Sequence, residues 1–128
     1  MSRLLVVDDD IQMLSALEAA LRHKGNTVET ASNGIEAASK LENATFQVVI
    51  TDLRMPGMDG LELLHHVRRT KPALPVIVLS AYEFPAPQLF SSLVEAFLRK
   101  PLELDALLGT IQRVATEGAA ASTKTWLS

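Results

Sequence analysis

The stretch Gln47-Val48-Val49-Ile50-Thr51-Asp52-Leu53-Arg54-Met55-Pro56-Gly57-Met58-Asp59-Gly60 decides the architecture. A short β-branched run closes on a carboxylate, and a Pro-Gly turn separates it from the helical spacing of Leu61, Leu64 and Val67, with Asp59 placed to cap that helix. The run is apolar at successive positions rather than alternate ones. A strand of that kind is buried on both faces, which is the mark of a parallel sheet between two layers of helices.

Working outward, the same alternation repeats. Leu4 to Val7, Thr27 to Ala31, Val76 to Ser80 and Ala96 to Arg99 read as four more strands. Between the first two, Leu14, Leu17 and Leu21 recur at helical spacing and stop before Gly25, a C-terminal cap. Ile35, Ala38 and Leu41 follow Asn33 and Gly34, and a last helix carries Leu104, Leu107, Leu108, Ile111 and Val114 on one face. Strand and helix alternating five times predict an α/β fold: a doubly wound, five-stranded parallel sheet with right-handed crossovers. Pro85 and Pro87 fall where the helix between the fourth and fifth strands should begin, so that helix is expected to start near Gln88 or to be short and irregular. Residues 117–128 are small and polar apart from Trp126 and Leu127; they are expected to form a flexible tail or linker after a domain over 1–116.

Bulk properties narrow the function. At 128 residues the chain has room for one domain. It has no cysteine, which excludes thiolate chemistry and fits the cytoplasm. The longest apolar runs, such as Val76 to Leu79, are far below the roughly 20 residues of a membrane span. A net charge of −3 with both signs mixed offers no broad surface for nucleic acid, and Arg68, Arg69 and Lys71 read as a solvated helix end.

The polar residues that close the strands are Asp8 and Asp9, Asp52, Ser80 and Lys100. In a sheet of order 2-1-3-4-5 these ends converge on the crevice where the strand order reverses. Like charges about 4 Å apart repel by on the order of 4 kcal/mol at an effective dielectric near 20, so three carboxylates there require a counter-charge. Oxygen donors without histidine or cysteine suit Mg2+, and Lys100 adds a fixed cation. A carboxylate in that setting is a candidate nucleophile toward phosphorus, with Ser80 donating a hydrogen bond to the phosphoryl group.

Four runs then resemble the receiver domains of two-component response regulators: Leu4-Leu5-Val6-Val7-Asp8-Asp9-Asp10, Val48 to Gly60, Ser80-Ala81, and Phe97-Leu98-Arg99-Lys100-Pro101. The resemblance covers about residues 3–116 and implies the flavodoxin-like order 2-1-3-4-5. It implies Asp52 as phosphoacceptor from a sensor histidine kinase or phosphotransfer protein. Asp9, Asp52 and the Arg54 backbone carbonyl would hold Mg2+, with Asp8 acting largely through water. Ser80, Ala81 and Lys100 would contact the phosphoryl group, Lys100-Pro101 would be cis, and Ser80 and Phe97 would form the switch. Arg54 and Tyr82 would border the phosphoryl group and tune its lifetime. The output would be a downstream protein or attached domain, without direct nucleic-acid or membrane binding by this chain, and homodimerisation is left open. No DNA-binding or catalytic output domain follows residue 116, so the chain is expected to be either a stand-alone regulator or part of a longer protein.

Two departures stand out: Leu93 and Val94 occupy the place of the family's Gly-Ala pair, and the stretch from Ser80 to Lys100 is shorter than usual. Taken singly, the motifs have plainer readings. Asp8, Asp9 and Asp10 could be a helix N-terminal cluster, and Phe97 could be core filler. Two other functions compete: a magnesium-dependent phosphatase or mutase using Asp8 and Asp10, and a receiver-like module that binds protein without phosphorylation.

Overall fold

The computed structural model describes residues 2–52, 60–80, 94–101, 103–117 and 125–127. In chain order the elements are β1 (Arg3–Val7), α1 (Ile11–His23), β2 (Thr27–Ala31), α2 (Gly34–Asn43), β3 (Val48–Asp52), α3 (Gly60–Thr70), β4 (Val76–Ser80), β5 (Ala96–Arg99), α4 (Leu104–Glu117) and β6 (Thr125–Leu127). Every pairing is parallel. β1 lies between β2 and β3, with Leu4 beside both Val28 and Val48; Thr51 of β3 is beside Val78 of β4, and Val78 beside Phe97 of β5. The order is therefore 2-1-3-4-5, with a further strand beyond.

Successive residues of a strand point to opposite faces, so each apolar strand feeds two cores. Leu5, Val7, Val49, Val76, Val78 and Phe97 pack with Leu41 of α2 and with Leu63, Leu64 and Val67 of α3. On the other face, Leu4, Val6, Val48, Ile50, Ile77, Leu79 and Leu98 pack with Leu14, Leu17 and Leu21 of α1 and with Leu107, Ile111 and Val114 of α4. Each fully buried leucine or isoleucine contributes about 2 kcal/mol of transfer free energy, and neither helix layer could be removed without exposing a row of them.

Local signals set the helix ends. Asp10 caps α1, its side chain accepting the Met13 N–H at 3.1 Å. At the other end Gly25 has φ 96°, its N–H reaching the Arg22 carbonyl and that of Asn26 the Leu21 carbonyl, the paired bonds of a Schellman turn. Asn33 caps α2 by accepting from Glu36 N, and the Glu36 carboxylate accepts the Ser32 N–H in return.

Three expectations are corrected. The buried stripe of α2 is Gly34, Ala37 and Leu41, and Ile35 is 63 % exposed: the helix is rotated so that its smallest residues meet the sheet. Arg68 is not a solvated helix end, because its guanidinium donates to the carbonyls of Pro72 and Leu74 and closes the turn after α3. Burial pushes its pKa below the usual value, with the Glu95 charge acting the other way. Finally, the 117–128 segment supplies a sixth strand: α4 is the crossover that brings Thr125–Leu127 parallel to β5. The expected short helix near Gln88 and the Asp59 cap lie outside the described residues.

Candidate functional site

The carboxyl ends of β1, β3, β4 and β5 meet at one edge of the sheet. Asp8 continues β1 by one residue, its N–H donating to the Ala31 carbonyl, and it is 2 % exposed. Its Oδ1 accepts the Asp10 N–H at 3.0 Å. Its Oδ2 accepts from Lys100 Nζ at 2.9 Å, and the same ammonium donates to Asp52 Oδ2 at 3.1 Å. One lysine thus bridges carboxylates that are 44 positions apart in sequence, by the numbering of Asp8 and Asp52. Lys100 is itself fixed through its backbone, whose N–H donates to the Ser80 carbonyl at 2.7 Å, and the Lys100–Pro101 bond is cis.

Carboxylate oxygens of Asp8, Asp9 and Asp52 lie within 4.8 Å of one another, Asp8 buried, Asp52 half-buried and Asp9 exposed. Desolvation raises the Asp8 pKa above its ordinary 3.8, against the lowering effects of the Asp10 N–H and Lys100. Burial disfavours the Lys100 ammonium, yet hydrogen bonds and charges from Asp8 and Asp52 outweigh it and hold its pKa above 10.5. Three carboxylates against one ammonium leave a formal charge of −2, which a divalent cation would neutralise. The oxygens are hard, clustered and partly open to solvent, so the donor set fits Mg2+.

Ser80 ends β4 and is buried, and Phe97 is buried beside Val78. The expected contributions of Arg54, Ala81 and Tyr82 lie outside the described residues. Asp10 is drawn away from the pocket by its capping role, so the Asp8 and Asp10 pairing required of a phosphatase is not what the fold assembles. Glu95, 2 % exposed before β5 and within electrostatic reach of Arg68, was passed over in the sequence; its one signal was a charge inside the apolar run Val94-Glu95-Ala96-Phe97.

Fold and pocket together define a class: a doubly wound domain carrying an acidic, lysine-bridged pocket at its topological switch point. The family model described as response regulator receiver domain matches residues 4–112. The chain belongs to that family, and its role is that of a receiver domain of two-component response regulators. It is 38 % identical over 110 residues to the transcriptional regulatory protein ZraR of Klebsiella oxytoca, covering 84 % of this chain and 25 % of that protein. It is 36 % identical over 127 residues to GlrR of Escherichia coli K12, covering 98 % and 29 %. This chain thus spans about a quarter of the length of the curated relatives it matches. Among solved structures, the response regulator TrrA from Thermotoga maritima, in complex with Mg(2+)-BeF, superposes with TM-score 0.83 at 32 % identity, covering 89 % of this chain and 99 % of that one. A CheY-like receiver domain protein from Methanospirillum hungatei JF-1 gives TM-score 0.86 at 30 % identity, covering 91 % and 95 %.

Proposed function

We propose that Asp52 is the phosphoacceptor of a histidine-to-aspartate relay, and that Asp8, Asp9 and Asp52, with the Arg54 carbonyl, hold the Mg2+ it requires. The observation that carries this reading is the Lys100 ammonium bridging Asp8 and Asp52 inside the carboxylate cluster. A carboxylate oxygen of Asp52 attacks phosphorus in line, the P–O bond forms as the P–N bond of the donor's phosphohistidine breaks, and the imidazole leaves with the electron pair. When bound, Mg2+ neutralises phosphoryl oxygens that would otherwise repel the acidic pocket. Lys100 turns from the carboxylates to a phosphoryl oxygen, and Ser80 and the Ala81 backbone donate to the others. Phe97 follows Ser80, so the state of Asp52 is read at β4 and β5. Arg54 and Tyr82 limit in-line approach of water and so set how slowly the acyl phosphate hydrolyses.

The donor is a sensor histidine kinase or phosphotransfer protein, and the recipient is a downstream protein or output domain. ZraR and GlrR are transcriptional regulatory proteins, which supports a regulatory output for the longer relatives. A cytoplasmic setting agrees with the absence of cysteine, and no described helix is long and apolar enough to cross a membrane. Acetyl phosphate with Mg2+ should add one phosphoryl group to the wild type by intact mass, and none to Asp52→Asn. Equal labelling of that variant would remove Asp52 from the role.

A further inference from the structure

A sheet edge left uncovered presents a row of unpaired backbone groups. Among the described residues, three cover the outer edge of β5, with Ala96 beside Thr125, Phe97 beside Trp126 and Leu98 beside Leu127. Successive residues of a strand turn their backbone groups to opposite neighbours; the Pro75 carbonyl of the β4 approach accepts from Val49 of β3, so Val76, Val78 and Ser80 face β5, and the Lys100 N–H is spent on Ser80. The N–H groups of Phe97 and Arg99 therefore turn toward β6. A strand this short is at the lower limit of length, and such elements open without the rest of the domain unfolding. Two residues past Leu98 stands Lys100, which ties β5 to Asp8, Asp52 and the Ser80 carbonyl.

We propose that the outer edge of β5 is a strand-docking surface filled by this chain's own Thr125–Leu127, and that a phosphoryl group in the acidic pocket releases that strand. The release, not the docking, rests on the proposed function. A phosphoryl group draws Lys100 from its two carboxylates, and the end of β5 moves with it. The Phe97 and Arg99 backbone groups then shift against a partner strand with no length over which to absorb the change. The edge so exposed accepts another extended segment by the same backbone pairing. Coupling is reciprocal, so the docked strand must weaken phosphoryl binding by the factor that phosphoryl binding weakens docking.

Amide hydrogen exchange read by NMR on the full chain tests both halves. Proline at both 126 and 127 (Trp126→Pro with Leu127→Pro) deletes whichever of those neighbouring N–H groups faces β5, and unchanged protection of β2 amides shows that the fold is kept. In metal-free wild type, the Phe97 and Arg99 amides should exchange about tenfold more slowly than in the double variant. Adding Mg2+ and beryllium fluoride should bring the wild type to the variant's rates, and fluorine NMR should show the variant binding beryllium fluoride several-fold more tightly. Equal metal-free rates in the two proteins would overturn the docking. Protection that persists with beryllium fluoride bound would overturn the release while leaving the pocket reading intact. If fluorine NMR shows no bound species, the pocket reading fails and the release with it, while the metal-free comparison still decides the docking.

Discussion

Asp8 is the residue where folding and function oppose each other most directly. Its carboxylate is taken out of water beside Asp52, and Lys100 compensates only part of the charge. Because its folded pKa is raised, the folded state holds a proton more tightly than the unfolded chain. The resulting stability is present below about pH 3.8 and is lost as pH rises through the folded value, so the neutral, metal-free protein carries the penalty. Asp8→Asn should therefore stabilise the metal-free protein at pH 7 by roughly 1 kcal/mol, about 4 °C in Tm, by thermal unfolding in chelator; a lower Tm would contradict the assignment. Lys100 has the opposite sign. Its raised pKa contributes stability that is present below pH 10.5 and lost as pH rises through the folded value. Lys100→Met should thus destabilise by on the order of 3 kcal/mol at neutral pH, a loss that shrinks on acidification as the carboxylates protonate. These residues were legible because each closes a strand: the parallel pattern puts such ends on one edge, and the order 2-1-3-4-5 that the resemblance implied brings them together. Glu95 and Arg68 were not, because their partnership depends on how the turn after α3 approaches β5, which no local spacing encodes.

At the level of elements, what could be read from the chain was whatever has a short-range cause. Gly25 was recognisable as the stop of α1 because only a left-handed residue completes that turn, and Gly25→Ala should lower stability by about 1–2 kcal/mol in urea unfolding. The aspartate run was ambiguous for the same reason: one acid caps a helix and its neighbours build a pocket. Asp10→Ala separates the two roles. It should remove about 1 kcal/mol of stability yet leave Mg2+-dependent labelling of Asp52 unchanged by intact mass, whereas an Asp8 and Asp10 enzyme would lose its activity outright. The phase of α2 was misjudged because Ile35 outweighs Gly34 and Ala37 on any hydrophobicity count, while close packing on the sheet rewards small side chains. β6 escaped notice because three residues after a polar stretch carry no period; Trp126 and Leu127 were its sole trace.

For the whole molecule, the doubly wound plan explains why a charged pocket is tolerable at all. Two apolar layers hold the strands independently of the edge where the acids gather, so the pocket can be a local liability within a stable domain. A ligand that removes the liability must then stabilise the fold. Magnesium at about 100 times its Kd should add roughly 2.7 kcal/mol to wild-type stability, measured by urea unfolding at pH 7 with and without the ion. Asp9→Asn and Asp52→Asn should gain much less, because each removes an oxygen donor from the cluster without removing a helix or a core side chain. Asp8→Asn should begin more stable than wild type and gain less from the ion, so the two proteins converge as magnesium rises. If instead all three variants gained as much as the wild type, the ion would be binding elsewhere, and the convergence of three strand ends would not be what the pocket is for.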